Sequence, residues 1–414
     1  MGANPNTLTS SFQKFWSRRL QITRTKINQY HIISNYEEKA QLKKGNQVTR
    51  PYKSEPVVND MGADGSYSRQ AITTTEELLN IDREKEITFY IREIDELQSN
   101  YNLRNEFADL NAKKLANQID ADVLEEALNG ASKVGAYDIA GTGTLDDGIG
   151  FTLSISNIMK VFGVANKKLT ALNVDLMDRW AMVSPQFYNI LWEYIAGKES
   201  LLGDKSGETG SIGTYGGFRL YVSNNLTTSY RLEMATTPTD TNTVVINGVT
   251  FTAETGDASD AAGKFKAETS GTVSLGHLAD AINNANGYAA SVGAAGTYTE
   301  VTAANRLLLK NIRAEFTAGN EYLVLVCKGI SNGIVVSETL AAAADVWTTT
   351  KQLQHQMFGQ GKPVDLVIQK DVTMAVKSRD GYIGNDIVNW AVWGKKTFTE
   401  GTKQIVNVLT IVMS

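Results

Sequence analysis

The chain has 414 residues, of which 42% are hydrophobic and 21% are charged, a balance typical of a globular protein with two or three domains. Its single cysteine, Cys327, excludes an internal disulfide, and the sequence has no apolar run of about 18 residues, the length needed to cross a membrane. Because the first ten residues also lack the pattern of a secretory signal, we expect a soluble protein that is made and used in the cytosol.

Charge is distributed unevenly along the chain, although the formal net charge is only -5. Residues 1–30 contain five basic and no acidic residues, namely Lys14, Arg18, Arg19, Arg24 and Lys26. Residues 231–350 instead contain 12 acidic and 7 basic residues. A basic arm of this kind commonly meets nucleic acid or an acidic partner surface, and a solvated arm is the alternative.

The first half of the chain predicts a projecting hairpin followed by a strand and a long helix. Residues 46–75 are polar and contain a cluster of turn formers at 59–65, which indicates the hairpin. Ile87, Phe89 and Ile91 alternate with polar residues, as in a strand with one buried face. Residues 95–129 contain neither Gly nor Pro and predict a long helix that Gly130 terminates.

The next segment predicts alternating helices and strands. Ser156 is expected to cap a helix whose apolar stripe consists of Ile158, Val161, Phe162, Ala165 and Leu169. A strand is predicted at Arg179–Val183, and Ser184 and Pro185 suit the cap and first position of a second helix. Alternation at Phe218, Leu220 and Val222 predicts a further strand.

From about residue 231 the composition changes to Thr, Ala, Gly and Asn, which predicts an inserted α+β module. It has strands near 243–252 and 321–328 and one helix near 275–284. Its 120 residues are enough for an independent core. Strands predicted at 364–369, 391–398 and 405–413 complete the chain.

Three stretches together resemble the HK97-fold capsid proteins of tailed bacteriophages, in the branch with a large insertion. The first is LNIDREKEITFYIREIDELQSN (79–100) with AKKLANQIDADVLEEAL (112–128), which resembles the return strand of the E-loop and the spine helix. The second extends from Arg179 through VSPQFYNILW and SIGTYGGFRLYVSNNL to Leu226, and resembles the A domain. The third is VDLVIQKDVTMAV (364–376) with the tail 380–412, which resembles the rest of the A domain and the closing P-domain strands. The order of several motifs is more specific than any one of them.

The resemblance implies an α+β, HK97-like fold with an inserted β-rich α+β module. Its implied segments are the N-terminal arm 1–45, the E-loop hairpin 46–94, the P domain with the spine helix 95–154, the first part of the A domain 155–230, the insertion domain 231–350, the second part of the A domain 351–389 and the closing P-domain strands 390–414.

The function implied by the resemblance is structural. The chain is expected to be a major capsid protein that self-assembles as pentamers and hexamers into an icosahedral head shell around the phage dsDNA genome. Implied partners are further copies of the chain, a separate scaffolding protein, a portal, a decoration protein and packaged dsDNA, which would make non-specific contacts on the inner face of the shell. The expected location is the virion, with assembly in the host cytoplasm and no membrane involved.

Candidate catalytic residues are few. His31, His277 and His355 lie in different segments with no second ligand at metal spacing, so each is expected to be structural. Gly141-Thr142-Gly143 departs from a dinucleotide fingerprint and predicts a loop, and Asp257-Ala258-Ser259-Asp260 predicts a turn rather than a calcium loop. We therefore expect no enzyme, and no catalytic, cofactor-binding or metal-binding residue.

Three residues that could be modified have simpler interpretations. Cys327 lies in an apolar strand and is expected in the core. The sequon at Asn225 has no use without secretion. Some relatives crosslink an E-loop lysine to an asparagine of a neighbour, but the surroundings of Lys53, Asn385 and Asn389 do not match that pattern.

Two other functions remain open at this point. An encapsulin-like compartment would share the fold and enclose enzymes, whereas terminase and portal genes beside this one would favour a phage. A glycan-binding adhesin would use the β-rich insertion, but the chain lacks a secretory signal.

Overall fold

A computed structural model of the chain describes the residues 24–36, 45–53, 55–94, 103–145, 148–198, 212–255, 258–267, 270–285, 298–299, 301–317, 321–330, 333–340, 345–378 and 381–412. They fall into two compact units. The first unit is formed mainly by Glu84–Ala116 and Lys370–Ala391, and the second by Lys26–Arg83, Asn117–Gln369 and Val392–Ser414.

The helices and strands are numbered separately in chain order. The helices are α1 (Tyr30–Ile33), α2 (Leu103–Leu124), α3 (Ala136–Ala140), α4 (Ile158–Ala171), α5 (Pro185–Ala196), α6 (Gly271–Ala285), α7 (Ala303–Leu308) and α8 (Thr399–Lys403), with 3-10 turns at Glu125–Asn129 and Thr349–Lys351. The strands are β1 (Ser34–Asn35), β2 (Gln47–Lys53), β3 (Thr74–Asn80), β4 (Arg83–Arg92), β5 (Ser132–Val134), β6 (Arg179–Val183), β7 (Thr214–Tyr215), β8 (Phe218–Val222), β9 (Thr228–Glu233), β10 (Thr243–Ile246), β11 (Val249–Glu254), β12 (Ala258–Ala262), β13 (Lys264–Lys266), β14 (Tyr298–Thr299), β15 (Ile312–Glu315), β16 (Tyr322–Cys327), β17 (Val336–Glu338), β18 (Leu353–Gln360), β19 (Val364–Ser378), β20 (Gly384–Lys396) and β21 (Ile405–Ile411).

The first unit has a small core between strands and the start of the long helix. Parts of β19, β20 and β4 contribute to it; in the sheet order β1-β19-β20-β4, the strand β1 pairs with Val364 and Asp365, which belong to the second unit. Ile91 and Ile387 are buried, and the rings of Phe89 and Phe107 lie 5.3 Å apart. This core gives the predicted alternation of Ile87, Phe89 and Ile91 its buried face.

The second unit is organised around β18. Along one edge, β18 pairs with β21 over its full length, from Leu353 opposite Ile411 to Gly359 opposite Ile405. Along the other edge, its start pairs with β9 and its end pairs with β6. The resulting nine-stranded sheet has the order β15-β16-β9-β18-β6-β8-β7, with β21 paired to β18 and β5 paired to β21. One strand therefore joins two parts of the same sheet.

Each part of the sheet has its own apolar core. On the β6 side, the stripes of α4 and α5 pack around an aromatic group in which the Phe162 ring lies 5.4 Å from the Phe358 ring, with Phe187 and Phe218 beside them. On the β9 side, α6 packs on β15 and β16 and on the small sheet β13-β11-β10-β17. Residues between Tyr230 and Trp347 therefore have their own core on a shared sheet.

Most local predictions agree with these elements. Ser184 caps α5, because its hydroxyl accepts a hydrogen bond from the Phe187 N–H at 3.2 Å, and Pro185 occupies the first turn. The predicted stripe of α4 is buried throughout. Gly130 follows the 3-10 turn that ends the long helix, and positions 95–102 of that prediction lie outside the described residues.

Three predictions need correction. Asn157, rather than Ser156, precedes α4, because the Asn157 side chain accepts a hydrogen bond from the Ser154 N–H at 2.9 Å and closes the turn before the helix. The turn predicted at 257–260 is wrong for the described part, since Ala258–Ala262 is strand β12, paired with β14. The domain boundaries stay predictions, but β9 crosses the boundary expected at 230/231, because its pairing with β16 and β18 continues through it.

Candidate assembly surface

The predicted hairpin consists of β2 and β3, paired from Gln47 opposite Asn80 to Lys53 opposite Thr74. Its base is fixed by Leu79, which is fully buried against Val367 and Phe398. The Arg50 guanidinium lies 3.1 Å from the Asp365 carboxylate and 4.3 Å from the centre of the Phe398 ring. These contacts hold the base of the hairpin in one orientation.

The hairpin tip, residues 55–73, has a different character. Its large apolar side chains are exposed, with Val58 96%, Ile72 87% and Tyr67 75% accessible, and Val57 and Met61 nearly as open. Side chains hold the two arms of the tip together, since the Asn59 amide donates to the Ser68 hydroxyl at 2.9 Å and Gln70 bonds both polar atoms of the Val57 backbone. Exposed apolar patches are typical of protein interaction sites.

A second exposed apolar surface lies at the turn between β19 and β20, in the first unit. Tyr382, Ile383, Met374 and Val376 are all exposed there. The Tyr90 hydroxyl donates to the Ile383 carbonyl at 2.8 Å, which fixes the turn to β4. Lys53 is exposed, Asn385 is half-buried and Asn389 is buried.

A third exposed pair, Leu176 and Met177, lies on the loop between α4 and β6. The buried Arg179 side chain shapes this loop, because its guanidinium donates to the carbonyls of Asp175 and Val174, both at 2.8 Å, and to the Asn166 side chain at 2.6 Å. The periodicity of the sequence could not predict these contacts, because they join one side chain to backbone carbonyls and to a side chain of the preceding helix.

The interior of the second unit contains a charge cluster, defined as Asp122, Glu125, Glu126, Arg313, Lys328 and Lys395. The Lys395 ammonium lies 2.8 Å from Glu125 and 2.9 Å from Glu126, and Lys328 lies 3.1 Å from Glu125. Arg313 contacts Glu125 at 3.4 Å, and the Trp393 indole N–H donates to Asp122 at 3.0 Å. Three acidic and three basic groups balance one another where water is largely excluded.

Burial and pairing oppose each other in setting the pKa values of this cluster. Burial raises the pKa of Glu125, but the ammonium groups of Lys395 and Lys328 lower it more, to about 2. Burial lowers the pKa of Lys395, and the carboxylates of Glu126 and Glu125 raise it above its usual range. Glu125 and Lys395 therefore keep each other ionised.

None of the histidines considered as candidates forms a site with the others. His31 is exposed, His277 is buried in α6, and His355 is buried in β18. His355 is held by the Ser229 hydroxyl at 2.7 Å and by Asn407, and burial lowers its pKa to about 4, so the ring stays neutral. It lines a polar cleft of about 560 Å³ beside the charge cluster.

The other residues considered for modification, Cys327 and Asn225, are both buried. Cys327 is buried in β16, as predicted, and burial raises its pKa to about 12. Asn225 and Thr227 of the sequon are buried, which makes that asparagine inaccessible to modification. The described residues contain no His, Cys, Asp and Glu group that could hold a metal ion, and none of their helices has the length and hydropathy of a membrane span.

Neither a family model nor a curated protein matches the sequence. A solved structure from Mycobacterium phage Che8 is 16% identical and has a TM-score of 0.57, with 98% of each chain covered. A capsid structure of cyanophage P-SCSP1u is 11% identical with a TM-score of 0.54, covering 99% of this chain and 96% of that one. The mature capsid of bacteriophage PhiM1 gives 10% identity and a TM-score of 0.51, covering 97% and 93%. These similarities establish that the chain has the HK97-like α+β fold of phage capsid chains, as the resemblance implied.

Proposed function

We propose that this chain is the major capsid protein of a tailed bacteriophage, which self-assembles as pentamers and hexamers into an icosahedral shell around dsDNA. The shared fold of phage capsid chains supports a structural role. The proposed location is the virion, after assembly in the host cytoplasm.

The observation that carries the proposal is the contrast between the two ends of the hairpin. Its base is fixed by Leu79 and Arg50, whereas its tip presents exposed Val58, Tyr67 and Ile72. Exposed apolar side chains on a rigid support gain free energy only when a second molecule covers them. In the proposed shell, the tip is covered by a neighbouring copy.

Symmetry and area would supply the strength of such a shell. Each copy would give and receive the same contact, so one favourable interface would repeat around a closed assembly. Obligate interfaces reach a few thousand Å², and burial on that scale holds subunits together without a covalent crosslink. The surfaces at the β19–β20 turn and at Leu176 and Met177 are further candidates for contact between copies.

The partner proteins are part of the same proposal. A separate scaffolding protein would guide assembly, a portal would occupy one vertex, and a decoration protein would bind the finished shell. The basic residues of the N-terminal arm would contact packaged DNA without sequence preference, the scaffold or an acidic surface of a neighbouring copy. Residues 1–23 of that arm lie outside the described residues.

Shortening the hairpin tests the proposal. Lys53 and Thr74 are paired, so residues 54–73 can be replaced by Asn-Gly, which closes a two-residue hairpin turn. With the genes that flank it, the natural chain is expected to give icosahedral particles by electron microscopy. The shortened chain should keep its thermal unfolding transition and give only free subunits or small oligomers.

A matched control separates loss of an interface from loss of apolar surface in general. Leu307→Ser changes an equally exposed apolar residue outside the hairpin, on α7, and should leave particle yield unchanged. Normal shells from the shortened chain would refute the role of the tip. Absence of any particles from the natural chain with all its neighbouring genes would refute the function itself.

A further inference from the structure

One buried carboxylate holds residues 29 and 30 of the N-terminal arm within the second unit. Asp120 of α2 is completely inaccessible to solvent. Its Oδ1 accepts hydrogen bonds from the backbone N–H groups of Gln29 and Tyr30, both at 2.7 Å, and its Oδ2 accepts one from the Asn225 amide at 2.6 Å. Three donors from two distant segments therefore converge on one side chain.

Lys26 makes a second attachment three residues earlier. Its ammonium group donates to the Asn224 carbonyl at 2.9 Å and also to the Gly329 carbonyl. Asn224 precedes the insertion, and Gly329 follows β16 inside it. Both carbonyls that accept from Lys26 therefore lie at one corner, where the predicted insertion joins the rest of the second unit.

Gly329 makes this corner close enough to α2 to form the attachment. It has a φ of +64°, and a Cβ at this position would lie 2.9 Å from the Ala121 side chain. Any other residue would be strained and would displace the carbonyl that receives Lys26. The glycine at position 329 thus allows the chain after β16 to pack closely against α2 next to Asp120.

Energetics favour a single position for residues 26–30. A buried carboxylate without hydrogen bonds is strongly unfavourable. Loss of the two backbone donors would therefore destabilise the folded chain by leaving the Asp120 carboxylate buried with too few hydrogen bonds. The charge-assisted bonds that it accepts are stronger than bonds between neutral groups. Burial raises the pKa of the Asp120 carboxyl, and the bonds from Asn225, Gln29 and Tyr30 oppose that shift.

We propose that Asp120, Asn225 and Gly329 form an arm anchor, a positioning site that fixes the point and direction from which the N-terminal arm reaches a neighbouring copy. The insertion takes part in arm placement through Gly329, in addition to any binding function of its own. The role toward a neighbour rests on the proposed capsid function, whereas the anchor itself exists within one chain.

Exchanging the two polar partners tests the anchor. Asp120→Asn replaces the charged acceptor of these hydrogen bonds with a neutral amide, which accepts more weakly, and Asn225→Asp sets two carboxylates against each other. The double variant restores one donor and one acceptor in exchanged positions. Hydrogen exchange of the peptide containing the Gln29 and Tyr30 amides, measured on free subunits, should be about tenfold faster or more in each single variant and near the natural rate in the double variant.

Particle formation with the flanking genes is the second readout. Shell yield should fall in both single variants and recover in the double variant, whereas thermal unfolding should show that all three variants are folded. Lys26→Met should also accelerate exchange and lower yield, whereas Arg24→Met, a change of the exposed neighbouring cation, should do neither.

Each outcome decides one part of the proposal. Unchanged amide exchange in folded single variants would overturn the anchor, as would failure of the folded double variant to recover. Faster exchange with a normal shell yield would overturn its role in arm placement while leaving the capsid function intact. If the natural chain forms no shells, the capsid function fails and the exchange data still decide whether the anchor exists.

Discussion

Apolar side chains are usually buried and charged side chains are usually exposed, and the hairpin tip and the charge cluster each depart from one half of this rule. The tip exposes Val58 and Ile72 to solvent, whereas the cluster buries Glu125, Lys328 and Lys395. The cluster satisfies its charges within one chain, so it stabilises the subunit. The tip has no apolar partner among the described residues of the same chain, so its contribution is expected between copies.

Removing the insertion should produce the largest effect on the subunit. The Thr348 N–H donates to the Arg231 carbonyl and the Glu233 N–H donates to the Val346 carbonyl, both at 3.0 Å, so residues 235–344 can be replaced by a short turn. This excision removes Arg313 and Lys328, so Lys395 is the remaining cation of the cluster beside Glu125 and Glu126, and Asp122 keeps the hydrogen bond from the Trp393 indole N–H. We expect a lower unfolding temperature and a broader transition, measured by calorimetry.

The excision also tests whether the insertion folds independently of the rest of the chain, a prediction that rests on its length alone. Asp122→Asn combined with Glu125→Gln in the shortened chain should recover part of the lost stability, because the buried negative charges are removed. If the excised chain unfolds as cooperatively and at the same temperature as the natural chain, the cluster does not couple the insertion to the body.

Removing one cation should have the next largest effect. Lys395→Met leaves Glu125 and Glu126 buried with less compensation, and breaking a buried pair on one side costs about 3–5 kcal/mol of the free energy of unfolding. Denaturant titration measures this loss. Lys403→Met, which removes an exposed cation paired with Glu400, is the matched control and should change stability little.

Acid should weaken the subunit in two separate pH ranges. The pKa of His355 is lowered to about 4, so the folded chain binds fewer protons than the unfolded chain, and stability falls as the pH drops from 6.5 toward 4. The pKa of Glu125 is lowered to about 2, so its contribution is complete above pH 4.5 and is lost toward pH 2. Denaturant titrations at several pH values should show that His355→Gln flattens the first slope and Glu125→Gln the second. A variant that keeps the natural slope in its own range would contradict that assignment.

Changing the tip should have the smallest effect on the subunit. Replacing Val58, Tyr67 and Ile72 by serine removes exposed side chains with few contacts, so the free energy of unfolding should change by no more than about 0.5 kcal/mol per substitution. Shell yield should nevertheless fall sharply. A large loss of stability would show that the tip packs within its own chain.

Local patterns predicted the elements of this fold better than they predicted its connections. The stripe of α4, the cap at Ser184 and the alternation of β4 depend on neighbouring residues, so periodicity and capping rules find them. The sharing of β18 between β9 and β6 depends on pairing across more than a hundred residues, which no local pattern contains.

The charge cluster and the arm anchor escaped prediction for the same reason. Lys328 and Lys395 look like ordinary surface residues in the sequence, and only the fold brings both to Glu125. Asp120 occupies a polar position of a predicted helix, and its donors come from 90 and 105 residues away. By contrast, the projecting hairpin was predictable, because its polar composition and turn residues lie together.

Protection of the hairpin tip in assembled particles is the most direct measurement of the central claim. Hydroxyl-radical footprinting of residues 55–73 can compare particles with free subunits of the same chain. If burial between copies is the purpose of this surface, Val58, Tyr67 and Ile72 become protected on assembly while Leu307 stays reactive. Equal reactivity of the tip in both states would contradict the account.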